Sequence, residues 1–474
     1  MRAWERQDTQ EGAGPPSPRD LGSASSPRGT AERPSARDAS SRAGPLAWFT
    51  LALLTLTYVI AYTDRQVLGI LVQPIKRELH VSDTALGFLG GTTFALFYAS
   101  LGVPLARLAD HLPRRSVLSA ALAAWSVMTG LTALVGNFWQ LLVLRIGVAV
   151  GEAGCNPSAH SLIADYFPVR QRATALSLYG LGLPFGIGFG MLIGGLTAQH
   201  FGWRAAFLFL GAPGLVFALV LRLVLREPRR GLSDAHRADG HADENMPIRQ
   251  LLSYLLSLRS YVHMTAGVSL QAVAMTAASM WNPAFLMRSY HMSIGAVGVT
   301  LALIQCLVGG SGALAGGVLS DRLQRLGASR QLVLLAVASI VACPVAFAAY
   351  SGLPAPTVLA LIAGAVFLQN IQYGTSTSLS TRLAPLRGRG LITGLSLFTS
   401  NLLAALLGAQ LVGFMSDLLQ PSRGVDSLRY AMGGTAAVFL TWATAHYLLA
   451  ARAVGDDLKR FEGPGAGTSG KPYH

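Results

Sequence analysis

The sequence predicts an all-α membrane protein, with twelve transmembrane helices in two pseudo-symmetric six-helix bundles. Three observations carry this reading: a composition starved of charge, a long series of apolar segments, and an internal repeat. Of 474 residues, 51% are hydrophobic and only 13% charged, with a mean hydropathy of +0.45. Water-soluble chains carry about 25% charged residues. The deficit has a direct cause, because a charged side chain at the bilayer centre costs at least ~2.5 kcal/mol. The 52 glycines fit the same picture, since small residues let membrane helices approach closely.

Residues 1–44 are rich in Pro, Ser, Arg and Ala, lack an apolar run, and read as a disordered tail. Acidic residues such as Glu5, Asp8 and Glu11 argue against a transit peptide, and no cleavable secretory signal is evident. From Pro45 the chain becomes a series of segments, each able to supply the ~20 residues that cross a bilayer. They lie near 46–72, 84–109, 115–136, 138–165, 172–199 and 204–225 in a first bundle spanning 45–226. A second bundle, 258–455, holds 258–287, 294–320, 331–351, 356–382, 390–418 and 429–452. Between them, 227–257 mixes charges with Gly, Asp and His and reads as a solvated linker. Its amphipathic stretch near Ile248–Leu258 suits a membrane surface. Residues 456–474 read as a second disordered tail.

Basic residues set the orientation. Arg114 and Arg115 follow segment two, Arg170 and Arg172 segment four, and Arg226, Arg229 and Arg230 segment six. Arg322, Arg325 and Arg330 follow segment eight, and Arg387 and Arg389 segment ten. On the other side Lys76 and Arg77 are balanced by Glu78 and Asp83, while the third and ninth loops are uncharged. The positive-inside rule then places both termini in the cytoplasm of a multi-pass inner-membrane protein. The net charge of +14 is accounted for by these loop clusters, so it gives no footprint for nucleic acid. Cys155, Cys306 and Cys343 all lie in apolar stretches, which argues against a disulfide framework.

Two patterns recur across the linker. A-R-L-A-D-H-L-P-R-R, ending at Arg115, is echoed by G-V-L-S-D-R-L, with Asp321 and Arg322. P-V-R-Q-R at Pro168–Arg172 returns as P-L-R-G-R at Pro385–Arg389. The agreeing offsets imply a duplicated six-helix unit, with a substrate site at the interface of the halves near mid-membrane. An Asp-Arg motif after helix two, repeated after helix eight, resembles the signature of the major facilitator superfamily, over about residues 45–455. The first copy departs from it at Ala106, His111 and Pro113. Within that superfamily the chain is similar to the bacterial spinster-like branch. The strings carrying this are Y-T-D-R-Q-V-L at Tyr62–Leu68, R-I-G-V-A-V-G-E-A-G at Arg145–Gly154 and F-G-W-R-A-A-F at Phe201–Phe207. The resemblance implies secondary transport by alternating access. Animal spinster proteins move lysolipid and sphingosine-phosphate-like molecules, which suggests that substrate class.

Ionisable residues inside the apolar segments are the candidate site, because the bilayer penalises them. Asp64 and Arg65 interrupt segment one; Arg145 and Glu152 interrupt segment four. Asp64 lies roughly 13 Å and Arg145 roughly 10 Å from the outer ends of their helices, so their depths match. Arg145 and Glu152, nearly two turns apart, project from one helix face. Arg145 can pair with a carboxylate or hold an anionic head group bidentately. A carboxylate whose Arg partner is taken by substrate becomes easier to protonate. Glu152 or Asp64 is therefore the expected proton carrier and Arg145 the charge partner. A static ion pair between helices one and four is the competing reading.

The second half offers amides and aromatics at the corresponding depth. The Pro168/Pro385 alignment sets Gln369 against Glu152, with Asn370 and Tyr373 nearby. Trp281, Asn282, Gln305, Phe398 and Asn401 are the other expected cavity residues, each with ordinary interhelical packing or hydrogen bonding as the alternative. Gly186, Gly190, Gly194 and Gly195 form a small-residue stripe suited to close packing. In the loops, Asp110, Arg114, Arg115, Arg172, Asp321 and Arg322 are expected to form a cytoplasmic gate between the halves.

The predicted function is secondary transport, proton-coupled, of an amphiphilic or organic-anion and lysolipid-like substrate. Small-carboxylate uptake and hydrophobic drug efflux are the alternatives within transport. A membrane receptor would show a soluble signalling domain. An enzyme would show a nucleophile–base set or ligand spacing for a metal, and neither is seen. The expected partners are a small-molecule substrate, protons and the lipid bilayer, with no cofactor and no metal, in a monomer.

Overall fold

The computed structural model describes residues 43–228, 248–383 and 389–462. Nearly all of the first expected tail, most of the linker and the end of the second tail lie outside the described residues, as does the side chain of Asp110. Within them, ten stretches are long and apolar enough to cross a membrane. One, Gly394–Lys459, is broken at Gly424–Asp426 and holds two helices packed on each other. With the more polar Arg259–Ser289 they make up the expected twelve membrane-length helices.

The first half comprises α1 (Pro45–Leu79), α2 (Asp83–Gly87, Phe88–Thr92 and Thr93–His111 in succession) and α3 (Arg114–Leu131). It continues with α4 (Phe138–Ala153 and Cys155–Tyr166), α5 (Val169–Gly180 and Gly182–Phe201) and α6 (Trp203–Val224). The amphipathic stretch of the linker is the short helix Ile248–Ser257. The second half comprises α7 (Arg259–Ser289), α8 (Ile294–Leu303, Ile304–Gly309 and Gly310–Gln324) and α9 (Ala328–Ala349). It ends with α10 (Ala355–Asn370 and Gln372–Arg382), α11 (Arg389–Arg423) and α12 (Ser427–Glu462).

Local chemistry fixes several helix ends. Ser82, Asn137 and Ser293 accept from Ala85 N, Gln140 N and Ala296 N, capping α2, α4 and α8. Gly202, at φ +82°, makes the tight turn from α5 into α6, a conformation that favours glycine. Just past it, Trp203 Nε1 and Arg204 both donate to Glu78 at the end of α1, and Arg204 also reaches the Val135 carbonyl at 2.9 Å. The G-W-R string is thus a clasp joining α1, α6 and the connection between α3 and α4.

α12 runs past the expected end at 455 to Glu462. Asp457 explains the extension, because its carboxylate accepts from Ser260 N at 2.7 Å and is buried against the start of α7. The duplication is visible in irregularities. The spacing that carries Pro168 onto Pro385 carries the break of α4 at Gly154 onto the break of α10 at Ile371. It also brings the π turn of α2, Phe88–Thr92, onto that of α8, Ile304–Gly309.

Large apolar side chains such as Val216, Leu219 and Leu223 on α6 and Leu307 and Leu314 on α8 are well exposed on the outside of the bundle. A water-facing surface of that kind would be a liability, whereas a bilayer matches it. The α5 glycines serve packing: a Cβ at Gly186, Gly190 or Gly194 would fall within 2.8 Å of α1 atoms, and one at Gly195 would meet Ile294 O of α8 at 2.8 Å.

Among the described residues the halves meet at one end only. α2 packs on α11, α5 on α8 and α1 on α7, toward the end that holds Leu79 and Asp83. A Cβ at Gly87 or Gly91 would lie 2.5 Å from the carbonyls of Ala409 or Ala405, so small residues set this seam. Gln199 accepts from Gly295 N at 2.9 Å, and Thr92 Oγ1 donates to Leu406 O at 2.9 Å. At the end that holds His111, Arg114 and Asp321, Arg114 and Arg115 bond to Ser161, Asp165 and Glu227 of the first half, and Gln331 bonds to Ser320 within the second.

Candidate substrate cavity and its charged wall

A cavity of about 470 Å³ lies between the halves, within the size range of drug-like ligand sites. Its second-half wall carries the expected Asn282, Gln305, Gln369, Asn370, Tyr373, Phe398 and Asn401. Trp281 is a correction. Its indole is buried in the seam and donates to Ala409 O at 2.9 Å, so it packs α7 on α11 outside the cavity. Neighbouring helix positions point about 100° apart, which sends Asn282 to the cavity and Trp281 away from it.

The first-half wall presents two arginines. Arg65 lines the cavity and its Nε donates to Glu152 Oε2 at 2.5 Å. Its guanidinium lies 4.8, 4.4 and 5.0 Å from the ring centres of Tyr62, Phe94 and Tyr98, an aromatic cage open toward Glu152. Asn156 ties this cage to α5: its Nδ2 donates to Tyr98 OH at 3.1 Å and its Oδ1 accepts from Tyr179 OH at 2.7 Å. Neither the cage nor Asn156 is expected from the sequence, where Tyr and Phe in an apolar segment read as packing.

Arg145 also lines the cavity and is only 2% exposed. No ion pair or hydrogen bond forms to it among the described residues, and its Nε is a buried donor without a partner. The carboxylate expected beside it is elsewhere: Glu152 is 1% exposed, sits behind the cavity wall, and pairs with Arg65. Asp64 also turns away from the cavity. Its Oδ2 accepts from Thr129 of α3, its Oδ1 has no partner, and it borders a second pocket of about 240 Å³. The four charges therefore separate into a paired Arg65–Glu152, an Arg145 at the cavity wall that both carboxylates influence only through space, and an Asp64 behind it.

The closed end above the cavity holds a network that the sequence shows only as balanced charge. Asp83 is buried and accepts both Arg288 Nη groups at 2.7 Å, Lys76 Nζ at 2.6 Å and Ser416 Oγ at 2.8 Å. Arg288 Nε also donates to Gln73 at 2.6 Å. Asp417 of α11 accepts from the N–H groups of Asp83 and Thr84 at 3.1 and 2.7 Å, capping α2 from the opposite half. Below, Gln66 and Ser279 exchange hydrogen bonds at 3.1 and 3.2 Å between α1 and α7.

Of the expected gate residues at the other end, Arg114, Arg115 and Arg172 make contacts within their own half. Arg114 donates to Asp165, to Ser161 at 2.8 Å and to Glu227 at 2.9 Å, while Arg172 Nε donates to Phe167 O at 3.2 Å. Burial raises the Glu227 carboxyl, but the Arg115 N–H and the Arg114 guanidinium outweigh it and hold the group below its usual range. Asp321 and Arg322 are exposed. Among the described residues no three His, Cys, Asp or Glu side chains converge as a metal site requires.

Two six-helix bundles around a central cavity, sealed at one end and, among the described residues, parted at the other, define a multi-pass membrane transporter that works by alternating access. The Major Facilitator Superfamily model matches residues 54–409, and the chain belongs to that superfamily. Its fold and relatives are those of transporters and not of enzymes. It is 31% identical to the MFS-type efflux pump of Mycolicibacterium smegmatis, over 88% of this chain and 95% of that protein. It is 27% identical to protein spinster homolog 1 of Xenopus laevis, over 81% and 77% of the two chains. Among solved structures it resembles a bacterial homologue of the human lysosomal transporter spinster in an inward-facing, unoccupied conformation. The TM-score is 0.81 at 28% identity, covering 87% of this chain and 98% of that one.

Proposed function

We propose that this chain is a proton-coupled secondary transporter of an amphiphilic organic anion of lysolipid type, acting as a monomer in the inner membrane. The single observation that carries the reading is Arg145: a guanidinium 2% exposed at the cavity wall, with no hydrogen bond or ion pair among the described residues. Leaving it unpaired is costly, and an anionic head group bound bidentately relieves that cost. Opposite it, amides and aromatics such as Gln369, Asn401 and Phe398 suit the less polar remainder of such a molecule.

Coupling runs through Arg65 and Glu152. Arg65 borders the cavity while Glu152 lies behind it, so an anion that draws the guanidinium forward frees Glu152 to take a proton. Asp64 is the second carboxylate of the set. The positive-inside charge pattern puts the parted end in the cytoplasm and makes this the inward-open state. In the outward-open state Asp110, Arg114, Arg115, Arg172, Asp321 and Arg322 close the cytoplasmic end. Efflux of hydrophobic compounds is the second reading, favoured by the likeness to the M. smegmatis efflux pump and by the cavity's aromatic wall.

The test is reconstitution of the full chain in liposomes with an imposed pH gradient, comparing a lysophospholipid, a small organic acid and a hydrophobic dye. Lysophospholipid flux driven by the gradient is expected, falling at least tenfold in Arg145→Gln. Glu152→Gln should keep binding but lose the gradient dependence. Full gradient-driven transport in both Glu152→Gln and Asp64→Asn would sink the coupling role. Dye flux alone would favour the efflux reading.

A further inference from the structure

The pocket beside Asp64 is separate from the transport cavity. It lies between α1, α3, α5 and α6, wholly inside the first half, and shares no lining residue with the cavity. Its rim is formed by Leu56, Phe189, Ile193 and Phe209, all exposed on the outside of the bundle. These residues sit at middle positions of their helices, so the mouth opens toward the hydrocarbon of the bilayer.

The walls are apolar apart from a few groups. Asp64 is 3% exposed with Oδ1 unpartnered, and Trp125, on the same wall, is 1% exposed. Oδ2 of Asp64 is already satisfied by Thr129, so one carboxylate oxygen is left to be met. No lysine or arginine comes within ion-pair distance of Asp64 among the described residues; Arg145 and Arg65 act on it only through space, from the cavity side. A buried carboxylate oxygen without a donor is expensive in a low-dielectric setting.

We infer that this pocket is a membrane-side binding site for a hydrophobic amine, whose ammonium N–H groups donate to Asp64 Oδ1 while its chain lies along the α5–α6 rim. The chemistry selects this class. A cation is drawn to the carboxylate and to the faces of Trp125, Phe189 and Phe209. An anion is repelled by Asp64. A neutral alkyl chain fills the groove but leaves Oδ1 unmet, so its binding does not depend on Asp64. A quaternary ammonium carries the charge without an N–H to donate. The pocket's volume of about 240 Å³ accommodates the head and the first part of a chain, with the rest in the bilayer. Because Asp64 faces this pocket and Arg145 faces the cavity, the bilayer and the transport pathway reach opposite sides of the same charged cluster.

The experiment uses the full chain in phosphatidylcholine nanodiscs and a photoreactive dodecylamine, with labelled peptides mapped by mass spectrometry. Saturable labelling is expected on α5 and α6 around Phe189, Ile193 and Phe209. Unlabelled dodecylamine should displace it, dodecyltrimethylammonium should do so at least fivefold less well, and dodecanol should not compete. Asp64→Asn should cut labelling at least tenfold. Ile193→Trp, which narrows the mouth from the lipid-facing side and leaves the core intact, should also reduce it severalfold. That variant keeps the test decisive should Asp64→Asn fail to fold. Labelling that is equal in both variants, that dodecanol displaces equally, or that falls on peptides of the central cavity overturns the site.

Discussion

Replacing Arg65 with alanine strands Glu152, whose Oε2 it holds at 2.5 Å and which is 1% exposed. Breaking a buried pair from one side costs about 3–5 kcal/mol, because the remaining charge has no compensation. Arg65→Ala should therefore lower the unfolding temperature in detergent markedly, and Arg65→Ala with Glu152→Gln should recover a large part of the loss. A double variant no more stable than Arg65→Ala alone would show that the pair does not act as a unit. That Asp64, Arg65, Arg145 and Glu152 interrupt apolar segments is legible in the sequence, and a bilayer makes every one of them expensive. Their pairing is not. Asp64 and Arg65 are consecutive and so point about 100° apart on α1. Hydropathy does not say which of the two faces the cavity; the structure gives that side to Arg65. Arg145 and Glu152 do share a helix, yet the guanidinium from α1 reaches the carboxylate and the one from α4 does not.

At the scale of the helix, the number and order of elements follow from apolar length, while their irregularities do not. The breaks at Gly154 and Ile371 and the π turns in α2 and α8 shift a helix phase without changing its hydropathy. The extension of α12 is likewise silent in composition, since charged Asp456, Asp457 and Lys459 read as tail until Asp457 is seen to cap α7. The α5 glycines are legible as a packing stripe, and the structure names their partners. A Cβ at Gly186 would lie 2.5 Å from Tyr62 Cβ and 2.7 Å from Val59 O, so α1 and α5 must separate to admit it. Gly186→Ala should destabilise by about 1–3 kcal/mol, the usual penalty of overpacking. Gly180→Ala, where nothing lies within 4 Å, should be neutral or slightly stabilising. Thermal unfolding of the two variants side by side checks this, and equal effects would remove close α1–α5 packing as the reason for the stripe.

For the whole molecule, the question is what holds one end shut while the other is open. The Asp83 network is formed by residues of both halves: Lys76 and Gln73 come from α1, Arg288 from α7, and Ser416 and Asp417 from α11. Such a cluster exists only while the halves touch there, so its free energy belongs to this state and is absent from the one that opens this end. A ligand or mutation moves an alternating-access equilibrium only through such differences between its two states. Asp83 is 1% exposed, and removal of its bidentate partner leaves a buried carboxylate dependent on Lys76 and Ser416. A loss of about 3 kcal/mol from this state alone would shift the equilibrium roughly a hundredfold toward opening at the Asp83 end. The readout is accessibility of a cavity position, Gln305→Cys, in a background with Cys155, Cys306 and Cys343 replaced. A membrane-impermeant thiol reagent is applied from the Asp83 side. Arg288→Leu should raise its labelling rate severalfold, and Asp83→Asn should act in the same direction. Arg288→Leu with Asp83→Leu should approach the seam's residual apolar and glycine packing. Unchanged labelling in all three would leave the close packing of the seam and its other hydrogen bonds between the halves as the closure, and the charge network as ornament to it.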